Sequence, residues 1–235
     1  MNILVTGGSS GLGRSITECL SRKHPSAQIY FTYNRSEEAA QNLASSFANA
    51  NPLHCNFSDA SSVQTLKELI AEKNIQVLVN NAIAAYTTNY FHKTAEELFL
   101  SGFQTNLLPV IAITQAFISK ARKEKFGKII TILSAAIDNI PSGSSLYTAE
   151  KMYLYGLSKT WAKENIGFNI TANTVSPSFM KTPLHDGLDE RVVEEMEKKH
   201  PLKKLLTTEE VADVVQFLVT ASQHINGQNF RIGLD

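Results

Sequence analysis

Apolar runs of strand length alternate with longer amphipathic stretches along this chain, and that alternation restricts the fold more than any other feature. Strands are expected at residues 2–6, 28–33, 52–55, 76–80, 128–133, 169–175 and 229–232, with helical stretches such as 11–23, 36–47 and 59–73 between them. Several runs are continuously hydrophobic, among them Ile3-Leu-Val5, Val77-Leu-Val79 and Ile129-Ile130. A strand covered on both faces reads this way. Repeated βα units with right-handed crossovers imply an α/β fold, a Rossmann-type doubly wound parallel sheet with helices on both faces. Ligands of such sheets bind beyond the carboxyl ends of the strands, where the strand order reverses.

The 235 residues suffice for one large domain and are too few for two well-developed ones. A single domain over 1–235 is expected, with residues 178–201 as a substrate lid inside it. That segment carries Pro183 and Pro201 around a charged helix at 189–199. Long loops in compact domains are usually functional or disordered; a surface loop tied down by prolines is the plainer reading of the same residues. Lys+Arg and Asp+Glu balance at 22 each, so no net field draws nucleic acid or an anionic membrane. No run approaches the ~18 apolar residues of a membrane helix. Met1-Asn-Ile-Leu-Val5 leaves no room for a secretory leader before the first turn, so a cytoplasmic protein is expected. Cys19 and Cys55 have no metal-type spacing and the six His are scattered, so no metal site is assigned.

The first strand runs straight into Thr6-Gly-Gly-Ser-Ser-Gly11-Leu-Gly13. Gly7, Gly11 and Gly13 let the backbone approach a pyrophosphate and let the following helix press on the strand. The helix N-terminus adds N–H donors and a favourable dipole. Ser9 and Ser10 contribute hydroxyls, and Leu12 sits within the same cradle. The spacing T-G-x-x-x-G-x-G differs from G-x-G-x-x-G, so the general fingerprint does not transfer directly.

A second constellation lies near residue 150. Tyr147 and Lys151 are four apart, and so share one helical face, with Ser134 upstream at a strand end. A free phenol ionises near ~10, too high for work near neutrality. An adjacent ammonium favours phenolate, so Lys151 is expected to lower the pKa of Tyr147, the general acid/base. The Ser134 hydroxyl would hold the substrate oxygen. Asn106 is out of character inside the apolar stretch 102–121; taken alone, it reads equally as a satisfied buried polar group. Pro109 removes one N–H from the same turn.

On these residues the chain resembles the short-chain dehydrogenase/reductase family over nearly its whole length. The matching motifs are residues 6–13, Asn80-Asn81-Ala82, Asn106, Ser134, Tyr147-x-x-x-Lys151, and Pro177 with Thr182 five residues on. Within the family it is most similar to the β-ketoacyl carrier-protein reductase type. The resemblance implies hydride transfer between a nicotinamide and a carbonyl or secondary alcohol, with a catalytic tetrad of Asn106, Ser134, Tyr147 and Lys151. Asn106 would hold a water in a proton relay ending at the lysine, and Lys151 would also bond the nicotinamide ribose. By the same resemblance Asn56 and Phe57 meet the adenine, Asn81 and Ala82 lie near its ribose, and Pro177, Met180 and Thr182 lie over the nicotinamide. Ile83 and Ser178 replace glycines common in the family. Asn80-Asn81 reads as well as a pair bridging neighbouring strands.

NAD-binding sheets usually end their second strand in an acid that accepts from the ribose 2′-OH. Here that end reads Phe31-Thr-Tyr33-Asn34-Arg35-Ser36, with Tyr33 at the usual Asp position and no acid until Glu37. Arg35 can fork onto a 2′-phosphate with Asn34 and Ser36 as neutral donors, so NADP(H) is expected over NAD. Arg35 also reads as a solvated residue ahead of the next helix. Pocket walls are expected from 83–86, 135–145 and the lid, suited to a 3-oxoacyl thioester or similar ketone, free or carrier-protein-linked. Lys125 stands where related reductases dock a carrier, but Phe168 occupies the place of a second basic residue. An alcohol or keto-sugar dehydrogenase is the runner-up. A non-catalytic nucleotide sensor would be marked by loss of Tyr147 or Lys151, and neither is lost. Apolar exposed faces on 103–125 and 147–165 imply a homodimer or homotetramer. The chain stops at Asp235, short of the family's usual Gly-rich tail, which leaves both states open.

Overall fold

The computed structural model describes residues 1–84, 88–185 and 189–233. Seven strands form one parallel sheet: β1 (Asn2–Val5), β2 (Gln28–Tyr33), β3 (Ala50–His54), β4 (Val77–Asn80), β5 (Gly127–Ile132), β6 (Ile170–Pro177) and β7 (Asn229–Ile232). Their order is β3-β2-β1-β4-β5-β6-β7, every neighbouring pair parallel. The doubly wound sheet expected from the alternation is therefore present, and its order reverses between β1 and β4. All seven expected strands occur, two with the expected bounds and the others with ends displaced by at most two residues.

Helices cover both faces: α1 (Gly11–Lys23), α2 (Glu37–Ser46), α3 (Ala60–Glu72), α4 (Glu96–Gly102), α5 (Leu108–Glu124), the short α6 (Ala136–Asn139), α7 (Ser145–Asn165), α8 (Glu190–Lys199) and α9 (Thr208–Thr220). Side chains alternate across a strand, so the continuous apolar runs divide between two cores. Ile3, Val5 and Val79 join the core of α1 and α9, while Leu4, Leu78 and Ile129 join that of α3, α5 and α7. The apolar stretch expected as one helix over 102–121 is interrupted. A π-helical turn, Phe103–Leu107, separates α4 from α5. Pro109, in the first turn of α5, cannot donate to the preceding turn, and a widened turn there accommodates the missing N–H.

Thr6 ties the two halves of the sheet together at the reversal point. Fully buried, its Oγ1 donates to Val79 O at 3.3 Å and accepts from the N–H groups of Asn81 (2.9 Å) and Ala82 (3.0 Å). Asn81 Nδ2 returns the contact, donating to Thr6 O at 2.9 Å and Gly7 O at 3.2 Å. Asn80 Nδ2 donates to Thr114 Oγ1 at 3.1 Å, linking β4 to α5. Thr6→Val keeps the shape and removes the acceptor of two N–H groups. The expected loss is about 2–4 kcal/mol in urea unfolding; a loss within ~0.5 kcal/mol, the range of neutral surface changes, would show that Thr6 is not a junction.

Candidate active site

The turn after β1 is built by close approach. Gly7 has φ +65°, and its N–H donates to Thr32 Oγ1 at 2.8 Å, fixing the turn against β2. A Cβ on Gly13 would lie 2.0 Å from Gly7 O, so α1 can start only where a side chain is absent. Gly8 is as constrained, since a Cβ there would fall 2.6 Å from Phe31 Cβ and Thr17 Oγ1. Its need for glycine was not visible in the sequence, because both neighbours come from elsewhere in the chain. Ser10 is the N-cap of α1 but makes no side-chain cap bond, and no acid occupies the first turn. The N–H groups of Gly7 and Gly8 are spent on Thr32, whereas the first N–H groups of α1 receive no side-chain cap, an arrangement open to an anion. Ser9 is buried and Ser10 exposed; Leu12 packs into the core, so only its backbone is available to a ligand.

Beyond β2, Tyr33 meets His54 edge-on, ring centroids 5.5 Å apart, while Asn34, Arg35 and Ser36 are exposed. No hydrogen bond or ion pair engages Arg35 among the described residues. At the end of β3, Asn56 Oδ1 accepts from Ser58 N at 3.0 Å and shapes the turn, and Phe57 packs against the core beneath. The side-chain nitrogen of Asn81 is spent on the β1 turn and Ala82 N on Thr6, so both residues shape the cradle directly.

Beyond the ends of β4, β5 and β6 lies a cleft of about 750 Å³ lined by Asn81, Ser134, Tyr147 and Lys151. Ile83, Met180 and Met196 give it apolar walls, with Met196 reaching it from α8. The strand β6 runs through Pro177, whose carbonyl accepts from Ala135 N at 2.9 Å. The segment that follows crosses back to the phosphate turn. A Cβ on Gly11, which has φ +49°, would sit 3.4 Å from Pro183 Cδ and 3.6 Å from Thr182 Cβ. Residues 85 and 86 of the expected pocket wall and 186–188 of the expected lid lie outside the described residues. A second cleft, about 520 Å³, lies between α8 and the start of α9 and is lined by charges of both signs. None of the site residues named above lines it.

Tyr147 stands in the first turn of α7 and Lys151 one turn on. Lys151 is buried, its Nζ donating to Ile132 O at 2.9 Å and lying 5.7 Å from the Tyr147 ring centroid. Burial brings its pKa down to about 8, against an upward pull from Glu150. Tyr147 departs from expectation. Burial pushes its pKa up, the hydrogen bond to Ser134 pulls it down, and Glu150 pushes it up again. The downward influence comes from Ser134, and Lys151 is not among the causes. Desolvation cannot be read from a four-residue spacing. Ser134 Oγ also accepts from Ala136 N at 3.2 Å.

Asn106 lies in the π-helical turn, buried and outside the cleft lining. Its Oδ1 accepts from Ala84 N at 2.8 Å and its Nδ2 donates to Glu150 Oε2 at 3.0 Å. Both ends of the side chain are engaged by the protein, and its link towards Lys151 runs through Glu150. Sequence reasoning missed Glu150; an acid between Tyr147 and Lys151 on a helix otherwise apolar at that level was the available signal. Three of the four expected residues therefore face one cleft, and the fourth buttresses it.

The family model described as enoyl-(acyl carrier protein) reductase matches residues 7–233. A 3-oxoacyl-(acyl-carrier-protein) reductase, FabG, from Thermotoga maritima is 31% identical over 242 residues, covering 99% of this chain and 95% of that protein. The protein of the same name from Escherichia coli is 30% identical over 233 residues, covering 97% and 94%. Among solved structures, an actinorhodin polyketide ketoreductase with NADPH has a TM-score of 0.88 at 22% identity, covering 99% of this chain and 95% of that one. A short-chain dehydrogenase from Burkholderia cenocepacia in complex with NADP has a TM-score of 0.85 at 25% identity, covering 98% and 95%.

The buried ammonium has a measurable consequence. Because Lys151 titrates at about 8 folded and 10.5 unfolded, the unfolded chain binds more protons between those values. Stability from this group therefore rises as pH climbs from about 8 to 10.5, and the cost of the buried charge is fully present below that window. Lys151→Met should abolish the rise in unfolding stability that this group gives the parent between pH ~8 and ~10.5. A variant whose stability still rises through that window as the parent's does would contradict this.

Proposed function

The chain belongs to the short-chain dehydrogenase/reductase family of NAD(P)-dependent oxidoreductases, and from that premise we propose an NADP(H)-dependent reductase of 3-oxoacyl thioesters or similar ketones. The observation that carries this reading is the meeting of the Ser134 and Tyr147 hydroxyls with the Lys151 ammonium in one cleft at the sheet's reversal point. The residues present fit a dinucleotide: glycines let the β1 turn fold tightly, since a Cβ would lie 3.0 Å from Ala82 Cα at Gly7 and 2.0 Å from Gly7 O at Gly13, beside a helix start without a side-chain cap. Gly7, Ser9, Ser10, Gly11, Leu12 and Gly13 would hold the pyrophosphate. Asn56, Phe57, Asn81 and Ala82 would border the adenosine, and Pro177, Met180 and Thr182 the nicotinamide end.

When bound, the nicotinamide supplies the hydride. Tyr147 donates the proton to the carbonyl oxygen, a role that suits a phenol held protonated by burial. Ser134 donates a hydrogen bond to the same oxygen as charge develops. Lys151, an ammonium through most of the neutral range, offsets that charge and would bond the ribose hydroxyls of a bound dinucleotide. Asn106 keeps the turn behind α7 in place. The name of the matching family model points instead to reduction of an enoyl group, in which the proton goes to carbon. Two hydroxyls converging at one point favour an oxygen acceptor.

Arg35, exposed and unengaged beside Asn34 and Ser36, supports a 2′-phosphate and hence NADP(H), as do two structural relatives named with NADPH and NADP. For a carrier-linked substrate, Lys125 is exposed at the end of α5, and Arg122 lies 4.7 Å over the Phe168 ring. Arg122 thus returns a cation to the place where Phe168 stands. The single domain takes residues 178–201 as its lid, with Met196 turned into the cleft. Exposed Leu98, Leu100, Met152 and Tyr153 on α4 and α7 suit pairing of two copies into a homo-oligomer. No helix among the described residues is long and apolar enough to cross a membrane. A cytoplasmic setting accords with the free thiols Cys19 and Cys55.

Tyr147→Phe should bind NADPH as the parent does yet lose turnover by at least ~100-fold, the typical share of general acid catalysis; near-normal kcat would rule out its role. Arg35→Ala should raise KM for NADPH about tenfold or more and leave that for NADH nearly unchanged. An unaltered NADPH preference would refute the phosphate assignment. Offering 3-oxoacyl and enoyl thioesters side by side separates the two reductions, and turnover of the enoyl substrate alone would overturn the ketoreductase reading.

A further inference from the structure

Glu150 is a carboxylate in an unexpected place. It lies between Tyr147 and Lys151 on α7, 5% exposed, against the π-helical turn and the end of α4. Its Oε2 accepts from Asn106 Nδ2 at 3.0 Å, while Oε1 accepts no hydrogen bond among the described residues. Oε1 faces Gly102 so closely that a Cβ there would lie 2.2 Å away. A buried carboxylate is retained at considerable cost unless a nearby cation answers it. The charged groups around it are few. Glu96 and Glu97 sit at the exposed start of α4, the π-helical turn brings none, and α7 itself brings Tyr147 and Lys151.

We propose that Glu150 is a positioning residue that sets the pH range over which the site can give a proton: its carboxylate anchors Asn106, stands as the counter-charge to Lys151 and disfavours phenolate at Tyr147. The inference rests on the ketoreductase reading for its chemistry, but not for its electrostatics. The influence of Glu150 on both neighbours is upward, on Lys151 against burial and on Tyr147 together with burial. Its own pKa is pushed up by burial, then drawn back by the Asn106 hydrogen bond and Lys151. Reduction of a ketone needs the phenol, whereas oxidation of an alcohol needs the phenolate. A fixed negative charge beside the tyrosine therefore extends the range of the phenol form to higher pH.

Glu150→Gln keeps an acceptor for Asn106 and removes the charge; Glu150→Ala removes both. In Glu150→Gln the pH midpoint governing turnover should fall by about one unit, the size imposed by a neighbouring charge. Ketone reduction then falls off at a lower pH than in the parent. The plateau kcat should stay within about twofold of the parent in Glu150→Gln and drop in Glu150→Ala at every pH, since only the latter frees Asn106. Ultraviolet titration of the Tyr147 phenol, taken as the difference from the matching Tyr147→Phe protein, reads the same shift without turnover. An unshifted phenol midpoint and unshifted rate profile in Glu150→Gln would overturn the inference. A parent that reduces no ketone would instead sink the ketoreductase reading, and the phenol titration would still decide the role of Glu150.

Discussion

A lysine ammonium held inside the protein at the end of the central strands is the constraint on which the site depends. A buried charge survives only if its surroundings answer it, and Lys151 has two answers, the Ile132 carbonyl and the Glu150 carboxylate. Each draws in further structure. The carbonyl requires β5 to stop at Ile132, just short of Ser134, and the carboxylate requires Gly102 and Asn106 on the facing turn. The residues around Tyr147 and Lys151 on α7 are therefore tied to one another by the cost of burying charge, independently of any ligand.

The sheet supplies the second constraint. Parallel strands leave their ends pointing the same way, and the reversal of order between β1 and β4 opens a crevice there. Thr6 and Asn81 stitch the two sides of that crevice by side-chain hydrogen bonds to backbone. The segment after β6 then crosses to Gly11, so Thr182, which lines the cleft of Tyr147 and Lys151, lies beside the turn after β1. Position, more than reactivity, is what the fold contributes.

What the sequence disclosed was local. The glycine spacing 7, 11 and 13, the four-residue step from Tyr147 to Lys151, and the continuous apolar strands each follow from backbone geometry over a few residues. What it hid was contact between distant segments. Gly8 is required by Phe31 and Thr17, Gly102 by Glu150, and Asn106 is held by Ala84 and Glu150. The direction of the Tyr147 shift was hidden for the same reason: burial is a property of the assembled fold, and it outweighs a charge inferred from spacing. The π-helical turn was foreshadowed only by Pro109, whose effect on a helix depends on what packs around it.

The most direct test of this account is a crystal structure of the protein with NADP and a ketone analogue. The account predicts the pyrophosphate against the backbone of the β1 turn, the 2′-phosphate at Arg35, and the ketone oxygen between the Ser134 and Tyr147 hydroxyls. A dinucleotide bound away from that turn, or a ketone oxygen out of reach of Tyr147, would contradict it.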